Sequence, residues 1–507
     1  MKIIADGNIP FIRECLSSVG DVQIVGGREI TPKVVADADA LLVRSITVVN
    51  EQLLRGSSVR FVGTATIGFD HVDVAYLASQ GIGFASAPGS NANSAAEYVI
   101  AALLEVARRR HLRLEGKSIG VIGVGNVGSR VASKCEALGM EVRRNDPPLA
   151  RSVSATVYRS TGILPVSGMG VPPMSRRGIL PLYCHGQDAR DTHGRDGRAT
   201  HGRDAHATER LTASLQTDPQ YVPLEALYDC DFVTFHTPLT REGIDKTFHL
   251  ADGGFFSRLK PGAILVNASR GAVVDSQALQ AAMQAGRLQA VVLDVWEGEP
   301  NIDVDLLEKV DLATPHIAGY SFDGKVAGMI MIYRSLCEHF HLTPKHDVTD
   351  FLPAPTVPRL EIEMVSVGSE KGRSGLCSST KFPGSISLKN GNDETSDARR
   401  SEFRLQAGQD RANAELQTSL PSSDPTATDE ELLARVVERI YSVAQDDRNM
   451  RQIAGQPAEE RGRFFDALRK NYPVRREFQN TTIVLDRPRE SLARKLRGIG
   501  FAVDGDS

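Results

Sequence analysis

Ser118-Ile119-Gly120-Val121-Ile122, followed at once by Gly123-Val124-Gly125-Asn126-Val127-Gly128, is the passage on which the fold turns. The first five residues read as a short buried strand. The next six carry the G-x-G-x-x-G spacing. After them Val127, Val131, Cys135 and Leu138 recur at helical intervals until Gly139 closes the run. Alone, the glycine spacing says little. Set between a strand and a helix it is the opening of a dinucleotide-binding unit. The glycines permit a tight turn and close backbone approach, so a pyrophosphate can rest on the free N–H groups of a helix N-terminus. The next strand, Glu141 to Asn145, leads into Asp146, eighteen residues past Gly128. A carboxylate there accepts from ribose hydroxyls and repels a 2′-phosphate, which favours NAD over NADP. Arg143 and Arg144, just before it, pull the other way.

Outward from this passage the same alternation continues. Upstream, Lys2–Ala5, Asp21–Val25, Ala40–Val43 and Phe61–Gly63 read as buried strands, and Ser94–Arg110 as a long helix capped by Asn93 or Ser94. Downstream, strands are expected at Phe232–Phe235, Ala263–Asn267, Ala290–Leu293 and Asp311–Ala313, and a helix over Ala318–Phe340. Strands alternating with helices imply parallel sheets. The expected architecture is α/β, with two doubly wound parallel-sheet domains. The substrate-binding domain covers 1–95 and 318–345, and the Rossmann NAD domain covers 96–317. A small α+β C-terminal domain at 346–507 completes the chain.

Two low-complexity insertions interrupt this plan. Residues 151–216 repeat Gly-Ile-Leu-Pro at Gly162 and Gly178. Within the same stretch, His185-Gly186, His193-Gly194 and His201-Gly202 recur at a period of eight. Residues 366–426 are rich in Ser, Gly, Asn and Asp. Such compositions bury no core, so both are expected to be disordered loops, and the histidine repeat is read as solvated rather than metal-binding. Order is expected to resume at Asp429, with Val436, Val437, Ile440 and Val443 on one helical stripe and Thr482–Leu485 as a strand.

The 507 residues exceed one ordinary core, and 24% charged residues with a net charge of −4 show no polyanion-binding bias. No apolar run reaches the length of a membrane span, and the first residues do not resemble a secretory signal. No nucleic-acid or membrane partner is expected. Six scattered cysteines without a C-x-x-C pair fit reduced thiols in a cytoplasm, and no metal site is expected.

Three more stretches close strands of the second series: Asn267-Ala268-Ser269-Arg270-Gly271, Leu293 to Pro300, and Thr314-Pro315-His316-Ile317-Ala318-Gly319. Oxidising a 2-hydroxy acid calls for a cation on its carboxylate, a base for its hydroxyl proton, and an acid to orient that base. Arg270, His316 and Glu299 supply one of each. Each also has an ordinary reading: a helix-end charge, a satisfied buried histidine, a surface acid before proline. Their joint occurrence after a cofactor loop makes coincidence a poor explanation.

With these motifs the chain resembles the D-isomer-specific 2-hydroxyacid dehydrogenase family. Further matching stretches are Asp6–Pro10, Leu42–Ser45, Gly63–Gly68, Asp70–Asp73, Ala87–Gly89, Phe235–Leu239 and Thr314–Tyr320. The tail, at Leu468–Tyr472 and Arg475–Glu477, resembles the branch of that family with a C-terminal dimerisation module. The resemblance implies NAD-dependent oxidation of a small phosphorylated 2-hydroxy acid by a homodimer in vitamin B6 biosynthesis. It implies Arg270, Glu299 and His316 as catalytic residues, and Ser45, Thr66 and Tyr320 as substrate contacts. NAD contacts would be Gly123, Gly125, Asn126, Val127, Gly128, Asp146, Thr237, Ala268, Ser269, Arg270, Asp294 and Gly319. Arg44 is a local candidate for the substrate phosphate. Three other readings stay open: the same chemistry on 3-phosphoglycerate or glycerate, a non-catalytic NAD sensor, and a chain whose catalysis its insertions have destroyed.

Overall fold

The computed structural model describes residues 1–151, 220–364, 419–422 and 427–504. Of the two low-complexity segments, which include the histidine repeat, Cys184 and Cys377, only 151 and 419–422 are among the described residues, and 419–422 forms a strand paired with Glu361–Met364 where a disordered loop was expected.

Three parallel sheets organise the chain. The first contains β1 (Lys2–Asp6), β2 (Asp21–Val25), β3 (Ala40–Val43), β4 (Phe61–Thr64) and β5 (Gly83–Ala85), in the order β2-β1-β3-β4-β5. β3 and β4 are buried along their whole length, because helices cover both faces of a parallel sheet. One covering helix, Phe322–His339, comes from far along the chain and packs Val326, Met329, Ile330 and Tyr333 into this core.

The second sheet contains β6 (Ser118–Ile122), β7 (Glu141–Asn145), β8 (Phe232–Phe235), β9 (Ala263–Asn267), β10 (Leu288–Leu293) and β11 (Leu312–Ala313), in the order β11-β10-β9-β8-β6-β7. Tyr221 adds a single parallel bridge to Arg144 beyond β7. The direction of winding reverses between β6 and β8, the crevice where doubly wound sheets bind ligands. Helix Asn126–Ala137 starts there and buries Val131 and Cys135.

The C-terminal unit, expected as α+β, combines helices with β12 (Arg359–Met364), β13 (Ser419–Ser422), β14 (Thr482–Leu485) and β15 (Ala502–Asp504). Their order is β13-β12-β14-β15, and all three pairings are parallel. Only β14 was expected from sequence. The helix expected from Asp429 spans Asp429–Ile440, capped by Thr428, whose Oγ1 accepts from Glu431 N. Val443 belongs to the next helix, Val443–Arg451, so the expected stripe is divided at Tyr441 and Ser442.

Two helix starts need correction. The long helix runs Ala92–Arg110, with Asn91 as N-cap. Asn93 and Ser94 lie inside its first turn, and Asn93 Nδ2 donates instead to Glu97 and to Glu477 of the tail. The helix expected from Ala318 begins at Phe322. The Asp294 carboxylate takes the N–H groups of Ile317 and Ala318 at 2.7 and 3.0 Å and holds them in a turn. Ser321 Oγ then caps the helix by accepting from Gly324 N. Among the described residues no helix is long and apolar enough to cross a membrane, and no cluster of three metal-ligating side chains occurs.

Candidate active site at the carboxyl ends of the second sheet

The glycine loop forms first. Gly123 adopts φ +84°, a conformation that side chains disfavour, and its backbone lies against His236 and Thr237 at the end of β8. A Cβ on Gly128 would overlap the Gly123 carbonyl oxygen, so only glycine lets the helix approach this closely. A Cβ on Gly125 would meet nothing within 4 Å. Gly125 is the helix N-cap without a side-chain cap bond, which leaves the first-turn N–H groups for a ligand. Asp146 Oδ2 accepts from Val124 N at 2.7 Å and Oδ1 from Leu149 N at 3.0 Å. The acid thus stands at the mouth of the loop. Thr237 Oγ1 is buried with no hydrogen-bond partner among the described residues, a donor left for something not yet bound. These features fit a dinucleotide.

Three adjacent strands, β9, β10 and β11, deliver the chemistry. After β9, Asn267 shapes the next turn: its Oδ1 accepts from Ser269 N and Oγ at 3.1 and 2.9 Å, and its Nδ2 donates to Arg270 O at 3.0 Å. Arg270 is half-buried. Its Nη1 donates to Ser269 O at 2.8 Å, and its Nε lies 3.9 Å from Asp70 of the first unit. A Cβ on Gly68 would collide with the Arg270 guanidinium. The loop after β4, which carries Thr66, therefore closes directly over it. Thr66 Oγ1 sits in a chain of hydroxyls, 2.7 Å from Thr64 Oγ1, which is 3.0 Å from His71 Nε2. Burial lowers the pKa of His71.

After β10 and β11 come Glu299 and His316. Glu299 Oε2 lies 2.8 Å from His316 Nδ1, and Glu299 Oε1 accepts from Trp296 N at 2.7 Å. Burial raises the Glu299 pKa, but the His316 ring, the Trp296 N–H and Arg469 outweigh it and hold the acid below its ordinary value. A carboxylate is an acceptor only, so the shared proton sits on Nδ1 and His316 Nε2 is left with its lone pair. The backbone enforces this aim. His316 has φ +58°, and its N–H donates to Asp294 O at 2.7 Å.

Asp294 is the anchor of that turn. Its Oδ1 accepts from Thr314 Oγ1 and Ile317 N, both at 2.7 Å, and its Oδ2 from Ala318 N. Among the described residues this is the one donor to Oδ2, which keeps a second accepting position. Gly319 abuts Asn91 at the start of the long helix. Ser45 is exposed at the end of β3, and Tyr320 stands with its ring centroid 5.9 Å from that of Tyr472 in the tail.

Residues 92–162 and 200–318 match the family described as D-isomer specific 2-hydroxyacid dehydrogenase, NAD binding domain, leaving 163–199 unmatched. Residues 422–500 match a domain of unknown function, DUF3410. Erythronate-4-phosphate dehydrogenase of Cronobacter sakazakii is 35% identical over 501 residues, covering 99% of this chain and 98% of its own. The enzyme of that name from Citrobacter koseri is 36% identical with the same coverage. That from Salinibacter ruber is 37% identical, covering 95% and 94%.

The chain belongs to the erythronate-4-phosphate dehydrogenase family.

It is an NAD-dependent oxidoreductase of that family. Several contributors to the site were not singled out from sequence. Asn267, Trp296 and Thr314 lie inside quoted motifs but act through hydrogen bonds that only the fold assembles. Arg469 arrives from the tail, and no local pattern points it at Glu299.

Proposed function

We propose that this chain oxidises 4-phospho-D-erythronate to (R)-3-hydroxy-2-oxo-4-phosphooxybutanoate in vitamin B6 biosynthesis. The observation that carries the reading is the 2.8 Å pair between Glu299 and His316, beside a dinucleotide loop, in a chain of this family. NAD, when bound, supplies the hydride acceptor. Arg270 holds the substrate carboxylate through its fork, which fixes the C2–H bond. The hydroxyl proton passes to His316 Nε2 as the C2 hydride departs, and the Glu299 carboxylate stabilises the resulting imidazolium. Ser45, Thr66 and Tyr320 contact the substrate. The first-turn N–H groups at Asn126 and Val127 take the pyrophosphate. Asp146 serves the ribose, and the free position on Asp294 Oδ2 the nicotinamide amide. Thr237, Ala268, Ser269 and Gly319 line the remainder of the cofactor cleft.

Residues 1–95 with 318–345 act as the substrate domain, 96–317 as the NAD domain, and 346–507 as the module through which two chains dimerise. Buried free thiols at Cys15, Cys135, Cys230 and Cys337 suit a reducing cytoplasm. NADH formation with 4-phospho-D-erythronate, D-erythronate, 3-phosphoglycerate and glycerate is the test. The phosphorylated four-carbon acid should give the highest kcat/KM. A higher value on 3-phosphoglycerate or glycerate replaces the substrate. NAD binding without turnover on any acid leaves the sensor.

A further inference from the structure

Lys325 lies in the first turn of helix Phe322–His339, five residues after Tyr320. Its Nζ is 4.7 Å from the centre of the Tyr320 ring. A lysine on a helix usually extends its ammonium into water. Here the side chain is largely desolvated, and among the described residues it has neither a hydrogen bond from Nζ nor an ion pair. Its pKa is pulled down to about 8, first by burial and then by the charges of Arg44 and Arg475.

Those neighbours are cations, so no counter-charge compensates it. Arg44, next to Ser45, makes one long contact, from Nη1 to Asn8 O at 3.4 Å, and no ion pair among the described residues. Arg469 comes from the other side. Its guanidinium carbon is 5.8 Å from the same Tyr320 ring, and its Nε is buried without a partner among the described residues. Lys325 and Arg469 meet at one tyrosine, the charge of Arg44 acts on Lys325, and Lys325 and Arg44 have no acid among the described residues, an arrangement that is unfavourable unless an anion joins them. Arg270, on the loop after β9 with its Nε 3.9 Å from Asp70, is assigned to the substrate carboxylate. The anion at Tyr320 is therefore a second one at the far end of the same substrate. A phosphate monoester carries nearly two charges at neutral pH and three acceptor oxygens. A second carboxylate carries one charge and two oxygens, and would leave a cation uncompensated.

We propose that Lys325, with Arg44 and Arg469, forms the corner of the substrate pocket that binds the terminal phosphate, and that Lys325 determines the preference for a phosphorylated acid. This rests on the dehydrogenase reading above and adds to it the residues that select the substrate. The tail would then complete the pocket as well as joining two chains.

The test compares Lys325→Met and Lys325→Arg with the unmodified full-length chain. Two readouts are used: kcat/KM on 4-phospho-D-erythronate and on D-erythronate, and calorimetric binding of inorganic phosphate. The ratio of the two kcat/KM values should fall about tenfold or more in Lys325→Met, the size of one charge-assisted contact. Most of it should return in Lys325→Arg, and phosphate affinity should follow the same order. Thermal unfolding of each variant separates this from misfolding, and Arg44→Gln, with a smaller loss of the same ratio, repeats the test at a second position. An unchanged ratio, or an equal loss on both acids, overturns the proposal. An unmodified chain that oxidises neither acid but binds phosphate through Lys325 overturns the dehydrogenase reading and keeps the anion site. One that binds no phosphate and oxidises neither overturns both.

Discussion

With Glu299 ionised and bonded to Nδ1, His316 can exchange a substrate proton only through Nε2. Replacing His316 by Asn should lower kcat about 10²- to 10⁴-fold, the usual share of general acid–base catalysis. The dissociation constant of NAD should hardly move, because the ring serves the hydroxyl and not the dinucleotide. Fluorescence titration with NADH beside steady-state rates makes the comparison. A comparable loss in both would mean that the residue supports the cleft as a whole. The glycine loop permits a second separation at this scale. Gly128 is fenced in by the Gly123 carbonyl, so Gly128→Ala should lower the melting temperature and NAD affinity together. Gly125 has open space around it, so Gly125→Ala should leave the melting temperature nearly unchanged while weakening NAD binding about tenfold or more. Equal melting losses in the two variants would remove the distinction. These residues were legible in the sequence because their chemistry is local: a glycine where backbones meet, a histidine with an acid seventeen positions away in the loop that follows the neighbouring strand. Lys325 and Arg469 were not. Their meaning comes from what surrounds them, and a desolvated cation looks in sequence like any surface cation.

At the scale of single elements, what sequence misses is where tertiary bonds override local preference. The pattern over Ala318–Phe340 is helical throughout, yet the helix starts at Phe322 because the Asp294 carboxylate holds the preceding turn. Asn93 is a good N-cap by type, yet it points to Glu97 and Glu477. Short strands such as β5 and β15, each three residues long, carry too little pattern to be read beforehand. Helix Val443–Arg451 shows how such tertiary context becomes measurable. Asp446 is buried in it and accepts from Tyr472 Oη at 2.8 Å. Desolvation raises its pKa to about 6, although the Tyr472 hydroxyl and Arg475 oppose the shift. A carboxyl with a folded pKa above its unfolded value, near 4, binds its proton more tightly in the folded state. Its contribution to stability is therefore greatest at low pH, declines as pH rises from about 4 to about 6, and is constant above. Asp446→Asn can still accept from Tyr472 and does not ionise. Its urea midpoint relative to the unmodified chain should rise across that interval and then level off. A difference that is flat with pH would show that Asp446 stays ionised when buried.

On the scale of the whole molecule, the tail is joined to the rest by polar contacts that no sequence window can contain. Asn93 meets Glu477 across 384 positions, and Arg476 meets Asp323 across 153. The Arg476 pair is the most enclosed. Both side chains are 8% exposed, and Asp323 also accepts from Glu477 N and Asn480 Nδ2. Since helix Phe322–His339 carries Lys325 and begins just after Tyr320, this pair fixes the tail against the element that carries Lys325. Removing one member leaves a buried charge without its partner, which costs about 3–5 kcal/mol, whereas replacing both with apolar groups of similar volume is often close to neutral. Arg476→Met should therefore destabilise the chain by about that amount in urea unfolding, and Asp323→Leu added to it should restore part of the loss, the remainder being the Glu477 and Asn480 donors left without their acceptor. The same series reports on function. If the tail completes the phosphate corner, Arg476→Met should raise KM for 4-phospho-D-erythronate more than KM for NAD, and the double variant should recover stability and KM to the same partial extent. Additive losses in the double variant would mean that the two residues act separately, and the tail would then be held by its other contacts, Asn93 with Glu477 among them.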